Sequence, residues 1–172
     1  TMADLFSSAG YDTASFGKLH LTPYLAPDGY GYHECQGLWQ KGEFDDWHGP
    51  YYGFRYVDMT IGHGEQPCHV GHYANWLQNE HPDVYQNLTA AKPKRPAQTI
   101  GDAYASVLPY ELHHSAWLAH RVSNYITTER PQGKPFFAFV GFPDPHHPFT
   151  PCAEIMKQFE EVDVREPYDA NG

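Results

Sequence analysis

The sequence predicts an α/β fold with a parallel sheet buried on both faces. One observation is a helix, a short turn and a continuous apolar strand in succession. The helix is an apolar stripe from Tyr110 to Thr128, the turn is Arg130-Pro131-Gln132-Gly133-Lys134, and the strand runs from Phe136 to Phe142. A second is that two apolar runs each stop at cationic or titratable side chains. Thr13 to Phe16 stops at Gly17-Lys18-Leu19-His20, and the Phe136 run stops at Pro143-Asp144-Pro145-His146-His147-Pro148. Open α/β sheets deliver functional groups in this way, at the carboxyl ends of their strands. The third is bulk. The 172 residues include 13 Tyr, 10 Phe and 4 Trp, enough to fill a domain core despite 15 Gly and 15 Pro.

Met2 to Ala9 reads as a helix ended by Gly10, the residue type that most readily terminates one. Thr13 to Phe16 is a short buried strand, and Gly17 to Leu21 its functional end. Thr22 to Pro50 is rich in Gly, Pro, Tyr and His without a period, and reads as an ordered, aromatic-rich loop. Phe54 to Thr60 alternates as a strand does, and His72 to Asn79 has the length of a short helix. Lys92 to Pro96, with three cations and two prolines, suits an exposed turn. In the Tyr110 helix, Leu112, Ala116, Ala119, Val122 and Ile126 recur at steps of three and four. That register points Leu112 and Ala116 inward and leaves room for at most one of His113 and His114 at the core. Glu154 to Glu160 reads as a further helix.

Eleven Lys and Arg stand against 21 Asp and Glu, a formal net charge of -10. Such a chain, with no basic run, repels a polyphosphate backbone, which argues against nucleic acid as a partner. Anion binding must then come from a local pocket. No apolar run reaches the roughly 18 residues of a membrane span. Cys35, Cys68 and Cys152 are an odd number with no Cys-x-x-Cys, which argues against a disulfide framework and a zinc knuckle. The opening residues read as the middle of an amphipathic helix and the closing ones as a loop. The expectation is one partial domain over residues 1–172, internal to a longer polypeptide.

Lys18 and His20 are one residue apart directly after a strand. If the backbone stays extended, both side chains fall on one face with Leu19 opposite. A compact ammonium with three donors beside an imidazole suits a sulfate or phosphate group; the same spacing fits a solvated Lys beside a structural His. The prolines around His146 and His147 set the local backbone and can preset one imidazole, or they can make a rigid surface turn. Asp144 fits either orienting a neighbouring ring or an ordinary turn. His114 fits a pocket rim or a half-exposed helix position. His63, His69 and His72 share a Gly-rich stretch with Cys68, but their spacing matches no zinc pattern. Asn87-Leu88-Thr89 is a glycosylation sequon, a frequent chance match. No Gly-x-Ser-x-Gly elbow, P-loop or Rossmann glycine fingerprint occurs.

Gly10-Tyr11-x-Thr13-x3-Gly17-Lys18-x-His20 resembles the second signature of the sulfatase family within the alkaline-phosphatase-like superfamily. Pro135-Phe136-Phe137 through Pro145-His146-x-Pro148 resembles a later family segment, and the His-His-x-x-Trp of the Glu111 to Ile126 helix resembles the bacterial sulfatase and phosphonate-monoester-hydrolase branch. The resemblance implies part of an α/β sandwich with a central, mostly parallel sheet flanked by helices, and hydrolysis of a sulfate ester. It implies a formylglycine made from Cys or Ser and one divalent cation, commonly Ca2+. Carried over, Lys18 binds the sulfate oxygens; His114, at the pocket rim, is a further candidate substrate-binding residue from its place on the helix. His20 contacts the formylglycine hydroxyl and assists sulfate release, and His146 binds the sulfate and the leaving oxygen. Periplasmic or extracellular location goes with the family.

Cys35, Cys68 and Cys152 do not fit the family's Cys/Ser-x-Pro/Ala-x-Arg motif. Nucleophile and metal ligands are therefore expected outside these residues, and the 172 residues alone are expected to be inactive. The implied partner is a sulfated small molecule or carbohydrate. A phosphonate or phosphate ester hydrolase of the same superfamily is an alternative. So is a non-catalytic carbohydrate-binding relative, suggested by the aromatics from Tyr24 to Tyr56.

Overall fold

Asp12–Gly17 (β1) is buried at every position and forms the middle of a three-stranded parallel sheet. Tyr56–Met59 (β2) lies on one side and Phe136–Gly141 (β3) on the other, with Gly17 level with both Met59 and Gly141. The computed structural model describes residues 1–63, 69–90, 103–159 and 162–163, excluding the side chains of residues 89 and 90. The Lys92 to Pro96 turn, Cys68, Glu160 and the side chain of the sequon's Thr89 lie outside the described residues. The α/β class and the parallel sheet agree with part of an alkaline-phosphatase-like sandwich.

Strand alternation sorts the core into two layers. Ala14 and Phe16 of β1, with Tyr56, Phe136 and Ala138, face helices Met2–Ser8's opposite side of the sheet, where Tyr73, Leu77, Leu88, Trp117, Leu118 and Tyr125 gather. Val57 and Met59 of β2, with Phe137, face the other layer, which holds Ala3, Trp39, Tyr51, Phe54, Ile61 and Val70. Met2–Ser8 (α1) packs there through Phe6, whose ring stacks on Phe137 at 4.5 Å. Gln36–Gln40 (α2), inside the stretch expected to be a loop, supplies Trp39. His72–Glu80 (α3), Pro82–Ala90 (α4) and His114–Asn124 (α5) cover the Phe16 face, and Ala153–Phe159 (α6) follows the sheet.

Two expectations need correcting. The helix read from Tyr110 to Thr128 is three pieces: a 3-10 turn at Tyr110–Leu112, α5, and a wider π turn at Tyr125–Glu129. His113 breaks the first junction, being extended at ψ 143° and serving as the N-cap of α5. One helical wheel therefore does not span residues 112 to 116, and both His113 and His114 are buried. At the far end, β-branched Ile126, Thr127 and Thr128 disfavour a regular helix, and the Thr127 hydroxyl donates to the Ser123 carbonyl at 2.8 Å. β3 is also only half-buried, with Phe139 43% exposed, so the sheet is not covered on both faces along this strand among the described residues.

Trp39, Tyr51 and Phe54, from the stretch read as suited to sugar stacking, are core residues. The exposed aromatics there include Tyr30 and Tyr52, and Tyr30 stacks on Tyr32 at 5.4 Å. Charged networks pin both ends of the sheet. Asp12 is paired with Arg55 and accepts from the Tyr125 hydroxyl at 2.6 Å. Asp58, buried in β2, accepts from Arg121 Nε at 2.7 Å and pairs with His48 Nδ1 at 2.9 Å. Burial opposes its charge, yet His48 and Arg121 hold the carboxyl down at about 2.

Candidate active site

Three adjacent parallel strands end side by side, and each releases a titratable residue into the same place. Lys18 and His20 follow β1, His63 follows β2 four residues after Met59, and His146 follows β3. The backbone is unusually close at this edge. Lys18 N donates to the Gly141 carbonyl at 2.7 Å. Gly17, at φ +93°, has no room for a Cβ, which would overlap the Gly141 carbonyl oxygen; one on Gly141 would overlap the Lys18 carbonyl oxygen. Two facing glycines thus let β1 and β3 deliver their ends together. Gly17→Ala must move that edge and should lower stability by roughly 2 kcal/mol or more. An unchanged urea midpoint would contradict this.

The expected Lys18–His20 alternation does not hold, because His20 adopts left-handed backbone at φ +59°. The chain turns there instead of running on extended. The buried Glu34 carboxylate receives it: its Oε1 accepts from Leu21 N at 2.6 Å, Thr22 N at 3.2 Å and the Tyr51 hydroxyl at 2.9 Å. Lys18, His20, Tyr24, Glu34, Ile61, Gly62 and His63 line a small cavity of about 20 Å³. That is room for about one water-sized group. Burial lowers the Lys18 pKa, and Glu34 opposes the shift.

His63 was not singled out for this site by the sequence, because the residues between it and β2 carry no motif. Its ring lies 6.2 Å from that of His20 and stacks on His146 at 3.8 Å, and His147 stacks on His146 in turn at 4.5 Å. Burial, then the charges of Lys18, His146, His20 and His147, push His63 down to about 4. It is therefore a neutral imidazole near neutral pH, close to the Lys18 ammonium. His72, from the same Gly-rich stretch, does not join this group and instead bonds the end of β2. His72 Nδ1 accepts from Met59 N at 2.8 Å, and Nε2 donates to the Trp47 carbonyl at 2.7 Å.

The structure brings Lys18, His20 and His146 together and places His114 elsewhere. His114 is 1% exposed, with its ring against Tyr73 and His113 and its Nε2 3.6 Å from Asp144 Oδ2. Burial and then His113 push it down to about 3, so the ring is neutral. A ring so enclosed offers no face to a substrate. The reason is the N-cap at His113, which tucks both histidines beneath the turn that follows β3.

The assembled group is one ammonium and three imidazoles, with His20 and His146 exposed and Lys18 half-buried. It can donate hydrogen bonds to several oxygens of a tetrahedral anion and stabilise charge that develops there. These residues do not fit the implied cofactors. Cys35 and Cys152 are buried free thiols, and Cys35 Sγ donates to the Ala26 carbonyl at 3.0 Å. Among the described residues, the groups with metal-ligand spacing are His48–Asp58–His72 and His113–His114–Asp144. Both are rich in imidazole, whereas Ca2+ takes oxygen ligands. No helix among the described residues is long and apolar enough to cross a membrane.

The family model described as Sulfatase matches residues 1–171. The uncharacterized sulfatase YidJ of Escherichia coli (strain K12) is 24% identical over 165 residues, which cover 94% of this chain and 26% of that protein. The chain thus spans about a quarter of the length of the curated relative it matches. The two motif segments that carry the resemblance are the two strand ends that meet in the structure, and the chain belongs to the sulfatase family.

Proposed function

We propose that these residues form the sulfate-binding half of a sulfuric ester hydrolase, with the nucleophile and metal ligands supplied by residues outside the 172. The observation that carries this reading is the convergence of Lys18, His20, His63 and His146 from three neighbouring strand ends. The Lys18 ammonium holds sulfate oxygens and stabilises the transferring group, while the electron pair of the breaking S–O bond leaves with the alcohol oxygen. His20 and His146 donate N–H bonds to the transferring group. A protonated imidazole at His146 can pass its proton to the leaving alcohol oxygen, which departs poorly as an alkoxide. His63, neutral and stacked on His146, keeps that ring oriented.

The formylglycine and Ca2+ of the family belong to this proposal only as groups held elsewhere, and no step here runs through them. The substrate is a sulfated small molecule or a sulfated carbohydrate. Phosphate and sulfate are both tetrahedral, so the decisive experiment is comparison of an aryl sulfate with the matching aryl phosphate and phosphonate monoesters in the intact protein. The sulfate ester should have the highest kcat/KM, and a better phosphate or phosphonate ester would overturn the sulfatase reading. Purified residues 1–172 should release no sulfate above a Lys18→Ala control.

A further inference from the structure

Two residues at the start of α5, His113 and Ser115, grip both roots of the turn that carries His146. On the outgoing limb, the Ser115 hydroxyl donates to Asp144 Oδ2 at 3.1 Å, and His114 Nε2 stands 3.6 Å from the same oxygen. Ser115 Oγ is also 3.3 Å from His114 Nδ1. On the returning limb, His113 Nε2 lies 3.3 Å from the carbonyl oxygen of buried Thr150. His113 Nδ1 accepts from Ser115 N at 3.3 Å. That bond fixes the tautomer in which Nε2–H donates to Thr150.

Between these roots lie Pro145 to Phe149, of which two residues are proline. A proline fixes its own φ and restricts the residue before it, so few torsions remain once both ends are held. Inside the turn, His146 N donates to the Pro143 carbonyl at 3.1 Å, and His146 Nδ1 bonds the His147 carbonyl at 2.5 Å. That commits Nδ1 and turns Nε2 to the opposite side of the ring. His146 is exposed, so side-chain packing alone does not hold it.

We infer that Asp144, held by the Ser115 hydroxyl, is a positioning residue that sets the direction of the His146 imidazole. The inference rests on the reading of His146 as a sulfate contact. The same three side chains, His113, His114 and Asp144, have the spacing of metal ligands. A cation would need a nitrogen of His113, and both of these are engaged by Ser115 and Thr150. The geometry therefore serves the turn.

The test uses the intact protein labelled with 13C at histidine Cε1, as wild type and as Ser115→Ala, Asp144→Asn and Ser115→Thr. One readout is the nuclear Overhauser contact between the His63 and His146 rings; the other is titration of their resonances with inorganic sulfate. Ser115→Ala and Asp144→Asn should lose the ring contact and weaken sulfate at His146 by roughly tenfold, since small misplacements of a reacting group have large effects. Ser115→Thr, which keeps the hydroxyl, should restore both. A ring contact and sulfate affinity that stay within about twofold of wild type in both variants would overturn the inference. So would unfolding of all three variants, which would make these ordinary core residues. A wild type whose His146 ignores sulfate would sink the binding-site reading, while the ring contact still reports on the turn.

Discussion

Replacing Lys18 with alanine in the intact protein is expected to lower kcat/KM for an aryl sulfate by about 10²- to 10³-fold, the usual loss for one preorganised charge-stabilising donor. Lys18 is half-buried at the mouth of the small cavity it shares with His20 and His63. Its ammonium meets the anion in surroundings that screen charge less than water does. The thermal midpoint should hardly move, because the backbone bond from Lys18 N to Gly141 survives the substitution. Lys18→Arg is not expected to rescue: a planar guanidinium fork is wider than an ammonium and does not fit the same cavity. Binding of inorganic sulfate, the product of the proposed reaction, should weaken in parallel. Steady-state kinetics and sulfate inhibition check both; a loss below about threefold with the fold intact would remove Lys18 from the site.

Acid should weaken the fold well before its carboxylates protonate. Burial pushes His72 down to about 4, while an unfolded histidine titrates near 6.5. Between those values the unfolded chain binds the extra proton, so stability is full above about 6.5 and falls as pH drops toward 4. At about 1.4 kcal/mol per unit, His72 alone accounts for about 3 kcal/mol by pH 4. The cause is visible in its bonds. Nδ1 accepts from Met59 N, and a protonated Nδ1 would set two donors face to face at the end of β2. That is the strand end that leads to His63. Burial lowers His63 and His114 as well, which adds to the slope in the same direction. Below about 4, Asp58 adds a further loss, because its folded pKa of about 2 lies under the unfolded value. Urea unfolding from pH 7 to pH 4 measures the effect. His72→Gln should be less stable at pH 7 and show a shallower slope; an unchanged slope would assign the acid sensitivity elsewhere.

Most of the strand framework was legible because apolar runs and their punctuation are local. Thr13 to Phe16 and Phe136 to Phe142 lie within or overlap β1 and β3, and Lys18, His20 and His146 stand where those runs stop. The end of α1 near Gly10 was also readable, since Gly10 sits at φ +88° just past it. His63 escaped because its role depends on β2 lying beside β1, a pairing that no local pattern states. His114 was misplaced because a helical wheel assumes an unbroken helix, and the extended backbone at His113 interrupts it. The aromatics between Tyr24 and Tyr56 look like a binding surface in composition, but Trp39, Tyr51 and Phe54 are the second core layer.

The sequence by itself determined the α/β class, the family, and which residue types stand at two strand ends, since each is written in contiguous residues. Only the tertiary structure decided which of those ends meet. Parallel pairing joins segments more than a hundred residues apart through backbone bonds that every residue type can make, so side-chain chemistry does not announce the partner. The close approach of Gly17 to Gly141 and the grip of Ser115 on Asp144 follow from that pairing and from the layer of helices packed on it.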